Sequence, residues 1–248
     1  MTETPPLPVL RSIAFNVLFF TGTPIWLIFM LVFMVLPPAG LRWAVRIWAG
    51  YMMFCLKWTV GLTYEIRGRE NIPPGPVLIA SKHQSAWDTA IFLLLIDSPV
   101  YIIKQELFGI PLWGWYARRY GNIGVDRKAG GSALKKMAAG SVAVLESGRS
   151  VVIFPEGTRT APGARQPYHP GIASVYTRIE APVVPVALNS GLFWGRRTFM
   201  KKPGRVLLEF LPPIPKGLER RAFMAELENR IETATDRLMA ESLDQPTR

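Results

Sequence analysis

The sequence has few of the residues from which disulfide bonds and metal sites are built. Its 248 residues include one cysteine, Cys55, and two histidines, His83 and His169. A single cysteine excludes a disulfide framework. So small a set of cysteine and histidine ligands also argues against a structural zinc site. We therefore expect no metal and no bound cofactor.

Charged residues are also scarce, and the charge that is present is mostly of one sign. Only 19% of the residues are charged, yet 29 Lys+Arg against 18 Asp+Glu give a net charge of +11, and 49% of the residues are hydrophobic. That hydrophobicity excludes an intrinsically disordered chain. A basic protein this apolar is an unusual nucleic-acid binder, so we expect no nucleic-acid partner. The combination favours work at an anionic lipid surface.

The apolar residues are concentrated near the N-terminus. No charged side chain occurs over residues 12–41, and the apolar stretch 13–36 exceeds the roughly 20 residues of a membrane-spanning helix. Thr21-Gly22-Thr23-Pro24 predicts a kink or a break in it. A cleaved signal peptide is the alternative, with an apolar run of about 7–15 residues. The longer run seen here, ending in Pro37-Pro38, favours a membrane anchor.

The next segment has the pattern of a helix that lies in the membrane interface. Only uncharged residues separate Arg46 from Lys57, too few to span. One stripe at helical spacing is apolar and aromatic, and consists of Trp43, Ile47, Tyr51, Phe54 and Trp58. Packing on the protein's own core is the alternative. We predict membrane-anchoring helices over residues 1–62 and an α/β domain over residues 63–248.

A second basic feature lies late in the chain. Five cations follow one another with no acid between them: Arg196, Arg197, Lys201, Lys202 and Arg205. Such a run is usually a solvated face. Beside a membrane anchor we expect it also to bind anionic headgroups, with each residue contributing about 1 kcal/mol.

Short β-rich runs alternate with helical patterns over the remaining chain. We predict strands at residues 63–66, 77–80, 100–103, 122–125, 151–154, 183–188 and 206–210, a helix over residues 133–146, and a C-terminal amphipathic helix from Phe223 to Leu238. This alternation predicts a mainly parallel central sheet flanked by helices. Ligands bind beyond the carboxyl ends of such strands.

Two predicted strands run directly into polar sequences, and the first of them contains His83 and Asp88. A carboxylate that accepts the Nδ1 proton of a histidine makes the imidazole a general base. The two residues can meet if His83 lies in a turn and Asp88 in the first turn of a helix capped by Ser85. The alternative is purely structural, because Ser85 and Asp88 also have the spacing of a capping box.

The second polar sequence is Glu156-Gly157-Thr158-Arg159, after the strand at residues 151–154. Arginine presents a planar fork that matches a phosphate group, and glycine allows a close approach of the backbone to a ligand. An ordinary surface turn with a local ion pair is the alternative. The chain has neither a Gly-x-Ser-x-Gly nucleophile motif nor a phosphate-binding P-loop.

Together these motifs resemble the glycerolipid acyltransferase family, and within it the 1-acylglycerol-3-phosphate (lysophosphatidic acid) acyltransferases. The resemblance covers about residues 63–211. It consists of the His-x4-Asp motif at 83–88, the element at 121–127, the Phe-Pro-Glu-Gly-Thr-Arg motif at 154–159 and the Val-Pro-Val strand at 184–186.

The resemblance implies transfer of an acyl group from acyl-CoA or acyl carrier protein to the sn-2 hydroxyl of lysophosphatidic acid, which gives phosphatidic acid. It implies that His83 is the base and that Asp88 orients it. The implied substrate-binding residues are Glu156, Gly157, Thr158, Arg159, Arg127 and, more weakly, Lys104. Membrane lipids are the expected partners, and we expect the enzyme at the inner membrane with its catalytic domain on the cytoplasmic side.

Two departures from the family pattern leave other functions open. Lys82 stands where the family often has Asn, and Tyr168-His169-Pro170-Gly171 replaces a Lys-Gly-like step. The alternative enzyme acts on another acceptor, such as a lyso-ornithine lipid. The alternative from another class is a non-catalytic lipid-binding protein.

Overall fold

The chain folds around a seven-stranded sheet, seen here in a computed structural model that describes residues 6–126 and 130–244. The strands are β1 (Leu62–Arg67), β2 (Leu78–Ser81), β3 (Val100–Lys104), β4 (Ile123–Val125), β5 (Val151–Ile153), β6 (Val183–Leu188) and β7 (Gly204–Phe210). All seven predicted strands are therefore present, with ends displaced by no more than two residues.

The order of the strands places most of their carboxyl ends at one edge of the sheet. The order is β1-β7-β6-β2-β5-β3-β4, and β2 to β6 all run in the same direction. Only the pair formed by β1 and β7 runs the other way, since β7 is antiparallel to β6 and parallel to β1. The predicted mainly parallel sheet is confirmed.

Helices cover both faces of the sheet, as parallel strands require. They are α1 (Pro6–Phe29), α2 (Pro38–Cys55), α3 (Trp87–Leu95), α4 (Trp113–Tyr120), α5 (Gly130–Glu146), α6 (Gly171–Tyr176) and α7 (Arg220–Asp244). Alternate residues of each strand enter opposite cores. Ile79 packs in the core of the face that carries α1 to α4, whereas Leu78 packs beneath α5 to α7.

The first helix exposes more large apolar side chains than any other helix or strand. The stretch Leu7–Met34, which is α1 and a following 3₁₀ turn, is long and apolar enough to cross a membrane by length and composition, with a mean hydropathy of 2.2. The break predicted at residues 21–24 does not occur, because α1 continues through Pro24 to Phe29. Pro24 has no backbone amide, so α1 continues with one helical hydrogen bond missing at this position.

The second helix presents the predicted aromatic stripe to the outside. Four of its members are exposed, namely Trp43, Ile47, Phe54 and Trp58. Tyr51 instead turns toward α1 and donates a hydrogen bond to the Leu18 carbonyl (3.0 Å). The opposite side of α2 supplies Leu41 and Met52 to the core beneath the sheet. The two N-terminal helices thus pack on the α/β fold and leave apolar side chains outside.

The predicted basic run does not act as one solvated face. Lys201 is buried, with its ammonium group 2.6 Å from Asn16 Oδ1 and over the rings of Phe15 and Trp194. Arg205 pairs with Glu65 across 3.1 Å. The expectation that all five cations bind headgroups is therefore wrong for Lys201, whose charge holds the loop before β7 against α1.

The stability of the fold should depend on the packing of α7 against the sheet. Replacing Leu238, which is fully buried, by alanine should lower the free energy of unfolding by about 2–5 kcal/mol, because it removes core contacts and leaves a cavity. Leu243 in the same helix is 73% exposed, and its alanine variant should stay within about 0.5 kcal/mol of the wild type. Denaturant unfolding in detergent, followed by tryptophan fluorescence, would measure both. Equal losses would contradict the packing.

Candidate active site

The predicted histidine and aspartate meet at the carboxyl end of β2. His83 lies in the turn after the strand and Asp88 in the first turn of α3, with Nδ1 of the imidazole 3.0 Å from Oδ2 of the carboxylate. The carboxylate is fully buried, whereas the His83 side chain remains 15% exposed. Two residues five positions apart would not share a face of one helix. His83 and Asp88 are in contact because His83 lies in the turn that precedes the helix.

The Asp88 carboxylate is surrounded by hydrogen-bond donors. Oδ2 accepts hydrogen bonds from the backbone amides of Gln84 (2.7 Å) and Ser85 (2.8 Å) as well as from His83. Oδ1 accepts a hydrogen bond from the hydroxyl of Ser190 (2.5 Å). Because an ionised carboxylate only accepts, Nδ1 of His83 is the donor, and its Nε2 keeps a free lone pair.

Asp88 makes the contact expected of a catalytic pair and also contacts at the start of α3. The Ser85 hydroxyl accepts a hydrogen bond from the Trp87 amide (3.2 Å), and Asp88 reaches back to the Ser85 amide. The second contact is the returning half of a capping box, whereas the first reaches the Trp87 amide and not that of Asp88, and the helix begins after Ala86 and not after Ser85 as predicted. The Asp88 carboxylate therefore accepts a hydrogen bond at the start of α3 and also orients the imidazole of His83. The imidazole ring stacks on Phe154 at a centroid distance of 4.0 Å.

The second motif lies beside the first, as its position after β5 predicts. The amide of Thr160 donates a hydrogen bond to the His83 carbonyl (2.8 Å). The loop that joins β5 to Thr160 contains Gly157, which has a left-handed φ of 66°. Thr158 and Arg159 are half-buried there. Burial and the nearby charges of Arg196 and Arg197 lower the pKa of the Arg159 guanidinium, whereas Asp88 raises it.

Glu156 occupies a different place from the one expected of a substrate-binding residue. Its side chain has no exposed surface, and Oε1 accepts a hydrogen bond from the backbone amide of His83 (2.9 Å). Burial raises the pKa of this carboxyl, while Lys82 opposes the shift. Contact with a substrate does not fit this placement, and the geometry favours a role in positioning the His83 turn.

Lys82 explains the first departure from the family pattern. Its ammonium group lies 3.2 Å from Glu156 Oε2 and 2.7 Å from Glu232 Oε1 on α7, and all three side chains are at most 4% exposed. The hydroxyl of Tyr168 completes the cluster with a hydrogen bond to Glu232 (2.9 Å). A buried cation thus links the turn that carries His83, the loop after β5 and the C-terminal helix.

Two further residues were predicted to bind the substrate, namely Lys104 and Arg127. Lys104 ends β3 at the same edge of the sheet and is exposed. Arg127 lies outside the described residues. Ser190 was missed by the sequence reasoning, although it follows the end of β6, another parallel strand, and the same strand-end rule pointed to it.

An apolar cavity of about 160 Å³ lies between the N-terminal helices, α3 and α4. Ala86 and Thr89, which flank Asp88 in the sequence, both line it. Its other walls include Leu27, Trp48, Leu93 and Tyr116. It is comparable with the roughly 150 Å³ apolar cavities that bind benzene, so it admits a short stretch of hydrocarbon.

The buried cluster should be sensitive to loss of its cation. Lys82→Met would leave two buried carboxylates without a counter-ion, so we expect a loss of about 3–5 kcal/mol in the free energy of unfolding. Lys216→Met is the matched control, since Lys216 pairs with Glu180, which is 98% exposed, and such pairs contribute about 0–1 kcal/mol. Denaturant titration of both variants would measure the difference. A loss below 1 kcal/mol for Lys82→Met would contradict the assigned role.

Comparisons with known proteins relate the chain to acyltransferases. The Acyltransferase family model matches residues 63–189. The 1-acyl-sn-glycerol-3-phosphate acyltransferase of Pseudomonas aeruginosa is 31% identical over 234 residues, 94% of this chain and 91% of that protein. The corresponding alpha enzyme of Ovis aries is 31% identical over 172 residues, and the alignment spans 60% of its length.

A solved structure has the same fold. The crystal structure of the 1-acyl-sn-glycerophosphate (LPA) acyltransferase PlsC from Thermotoga maritima aligns with a TM-score of 0.70 at 21% identity, and covers 94% of this chain and 97% of that one. The order of motifs, the arrangement of His83 and Asp88, and the extent of these similarities lead to one conclusion. The chain belongs to the acyltransferase family.

Proposed function

We propose that this protein transfers a fatty acyl group from a thioester donor, acyl-CoA or acyl carrier protein, to the sn-2 hydroxyl of lysophosphatidic acid. The product is phosphatidic acid, the precursor of membrane phospholipids. The observation that carries the proposal is the contact of His83 with Asp88. The half-buried Arg159 lies in the loop that is hydrogen-bonded to the His83 carbonyl, and Ala86 and Thr89 from the same segment as Asp88 line an apolar cavity. One site thus offers a base, room for hydrocarbon and a cation for phosphate.

The proposed chemistry starts at Nε2 of His83. This nitrogen takes the proton of the acceptor hydroxyl while the oxygen attacks the thioester carbonyl. Asp88 holds the imidazole by Nδ1 and stabilises the imidazolium that forms. When the tetrahedral intermediate collapses, the C–S bond breaks and the imidazolium returns its proton to the departing thiolate. The Ser190 hydroxyl donates to Asp88 and the Ser85 hydroxyl accepts from the Trp87 amide, so neither serine is positioned as a nucleophile for His83.

The lipid substrates give a reason for the exposed apolar surface of the N-terminal helices. Both the acceptor and the product reside in a bilayer, so an enzyme held at the interface meets them at high local concentration. The exposed Trp43, Phe54 and Trp58 of this segment are suited to headgroup depth. Thioester donors are cytoplasmic, and cations follow the apolar stretch at Arg42 and Arg46. We therefore place the catalytic domain on the cytoplasmic face of the membrane.

Loss of the base should abolish acyl transfer and leave the fold intact. We expect His83→Ala to lower kcat about 10²–10⁴-fold, because the acceptor hydroxyl loses its general base. Asp88→Asn should lower both kcat and the midpoint of thermal unfolding, since Asp88 also caps α3. Transfer of radiolabelled acyl groups to lysophosphatidic acid and a thermal melt would be measured together. A fully active His83→Ala enzyme would rule out the mechanism.

Filling the cavity should shorten the acyl chain that the enzyme accepts. Ala90 lines the cavity and is buried, so in Ala90→Leu we expect kcat/KM for a long-chain donor to fall about tenfold or more relative to a short-chain donor. Ala138→Leu is the matched control, because Ala138 is equally buried in the core beneath α5. It should destabilise the fold similarly and leave the chain-length preference unchanged. The same preference in both variants would contradict binding of the acyl chain here.

A further inference from the structure

Two arginines in the loop between β6 and β7 have no acidic partner. Arg196 and Arg197 are exposed, and neither forms an ion pair with any residue in the described ranges 6–126 and 130–244. They differ in this from Arg205, which pairs with Glu65, and from Lys201, which is buried. The residues of the basic run therefore have different surroundings, and Arg196 and Arg197 are exposed without an acidic partner among the described residues.

The loop begins in contact with the catalytic pair. The Ser190 hydroxyl binds the Asp88 carboxylate, and the amide of the next residue, Gly191, donates a hydrogen bond to Gln84 Oε1 (3.0 Å). A Cβ atom at Gly191 would lie 2.9 Å from that of Gln84, which leaves no room for a side chain. The start of the loop is thus fixed against the residue that follows His83.

The loop also ends in fixed contacts. The Lys202 amide donates a hydrogen bond to the Phe193 carbonyl (2.9 Å), and the Lys201 ammonium group binds Asn16 of α1. Between these contacts Arg197 has a left-handed φ of 57°, a conformation that side chains other than Gly, Asn and Asp seldom adopt. The two arginines are therefore held by a turn of defined shape and not by a free loop.

A third arginine, Arg159, lies in the loop after β5. Arg159 precedes Thr160, whose amide is bonded to the His83 carbonyl (2.8 Å). Its guanidinium group is half-buried and makes no ion pair among the described residues. Besides burial, the charges of Arg196 and Arg197 lower its pKa. Arg159 therefore repels two arginines of a loop whose first residues contact Asp88 and Gln84, and an anion bound among the three would relieve their repulsion.

We propose that Arg196 and Arg197 complete, with Arg159, the binding site for the phosphate of the lysophosphatidic acid acceptor. The inference rests on the proposed function, in which Arg159 holds that phosphate. A phosphate monoester carries a charge of about −1.5 to −2 near neutral pH, so a single arginine does not neutralise it. Guanidinium forks bind such oxygens in pairs, which fixes the direction of the acceptor as well as its affinity.

The test uses the full chain in mixed micelles of fixed composition and two neutral replacements, Arg196→Ala and Arg197→Asn. Asparagine tolerates the left-handed backbone, so the turn should persist. In the double variant we expect KM for lysophosphatidic acid to rise about 10- to 100-fold with a smaller change in kcat. We expect the Ki of glycerol 3-phosphate to rise likewise, and this soluble phosphate reports on the site without a contribution from the micelle surface.

Lys202→Ala is the matched control, because Lys202 is an exposed cation of the same loop whose backbone contact does not need its side chain. Its KM and Ki should equal those of the wild type. Sedimentation with phosphatidylglycerol vesicles should give similar binding for the double variant and for this control. Circular dichroism and thermal melts would verify that all variants are folded.

The outcomes separate this inference from the proposed function. Weaker vesicle binding with unchanged KM and Ki would assign the two arginines to bilayer headgroups and overturn the proposal. If Arg159→Ala raises KM and Ki but the double variant does not, the proposed function stands and this inference fails. If none of the three replacements changes them, the role of Arg159 in the proposed function fails as well.

Discussion

The site depends on one buried carboxylate, that of Asp88. It accepts hydrogen bonds from the His83 ring, from the amides of Gln84 and Ser85, and from the Ser190 hydroxyl. A buried charge is stable only when such donors replace its hydration. By collecting them, Asp88 joins the end of β2, the start of α3 and the loop after β6. The orientation of the His83 ring is therefore coupled to the packing of these three segments. If one of them moved, a buried oxygen of Asp88 would lose its hydrogen-bond donor.

A cluster of three buried charged residues supports the turn that carries His83. Glu156 holds the backbone of His83, Lys82 holds Glu156, and Glu232 of α7 holds Lys82. Isolated, each of these groups would be costly to bury. Together they link the C-terminal helix to the turn that carries the imidazole of His83. The substitution of lysine for the asparagine frequent in this family therefore comes with its own partner, Glu232, on an element far along the sequence.

The surface of the molecule separates the two kinds of substrate chemistry. Apolar side chains of α1 and α2 lie outside, and an apolar cavity lies between these helices and α3. The guanidinium group of Arg159 is close enough to Arg196, Arg197 and Asp88 to feel their charges, and none of these residues lines the cavity. A lipid with a hydrocarbon tail and a phosphate headgroup has the same polarity along its length. Lys201, buried among Phe15, Trp194 and the carbonyl groups of its own loop, joins the apolar anchor to the loop that carries the arginines.

The sequence by itself determined the seven strands, their mainly parallel arrangement, the apolar N-terminal helix and the two motifs, because periodicity and strand-end position are local properties of the chain. It also brought His83 to Asp88, whose spacing permits contact only through a turn. It did not place Ser190 or Glu232, and it misjudged Lys201 and the contacts of Glu156. These depend on which segments pack together across long separations, and on which charges become buried when they do. Only the tertiary structure decided that, because burial determines whether a charged group faces a substrate or holds the fold.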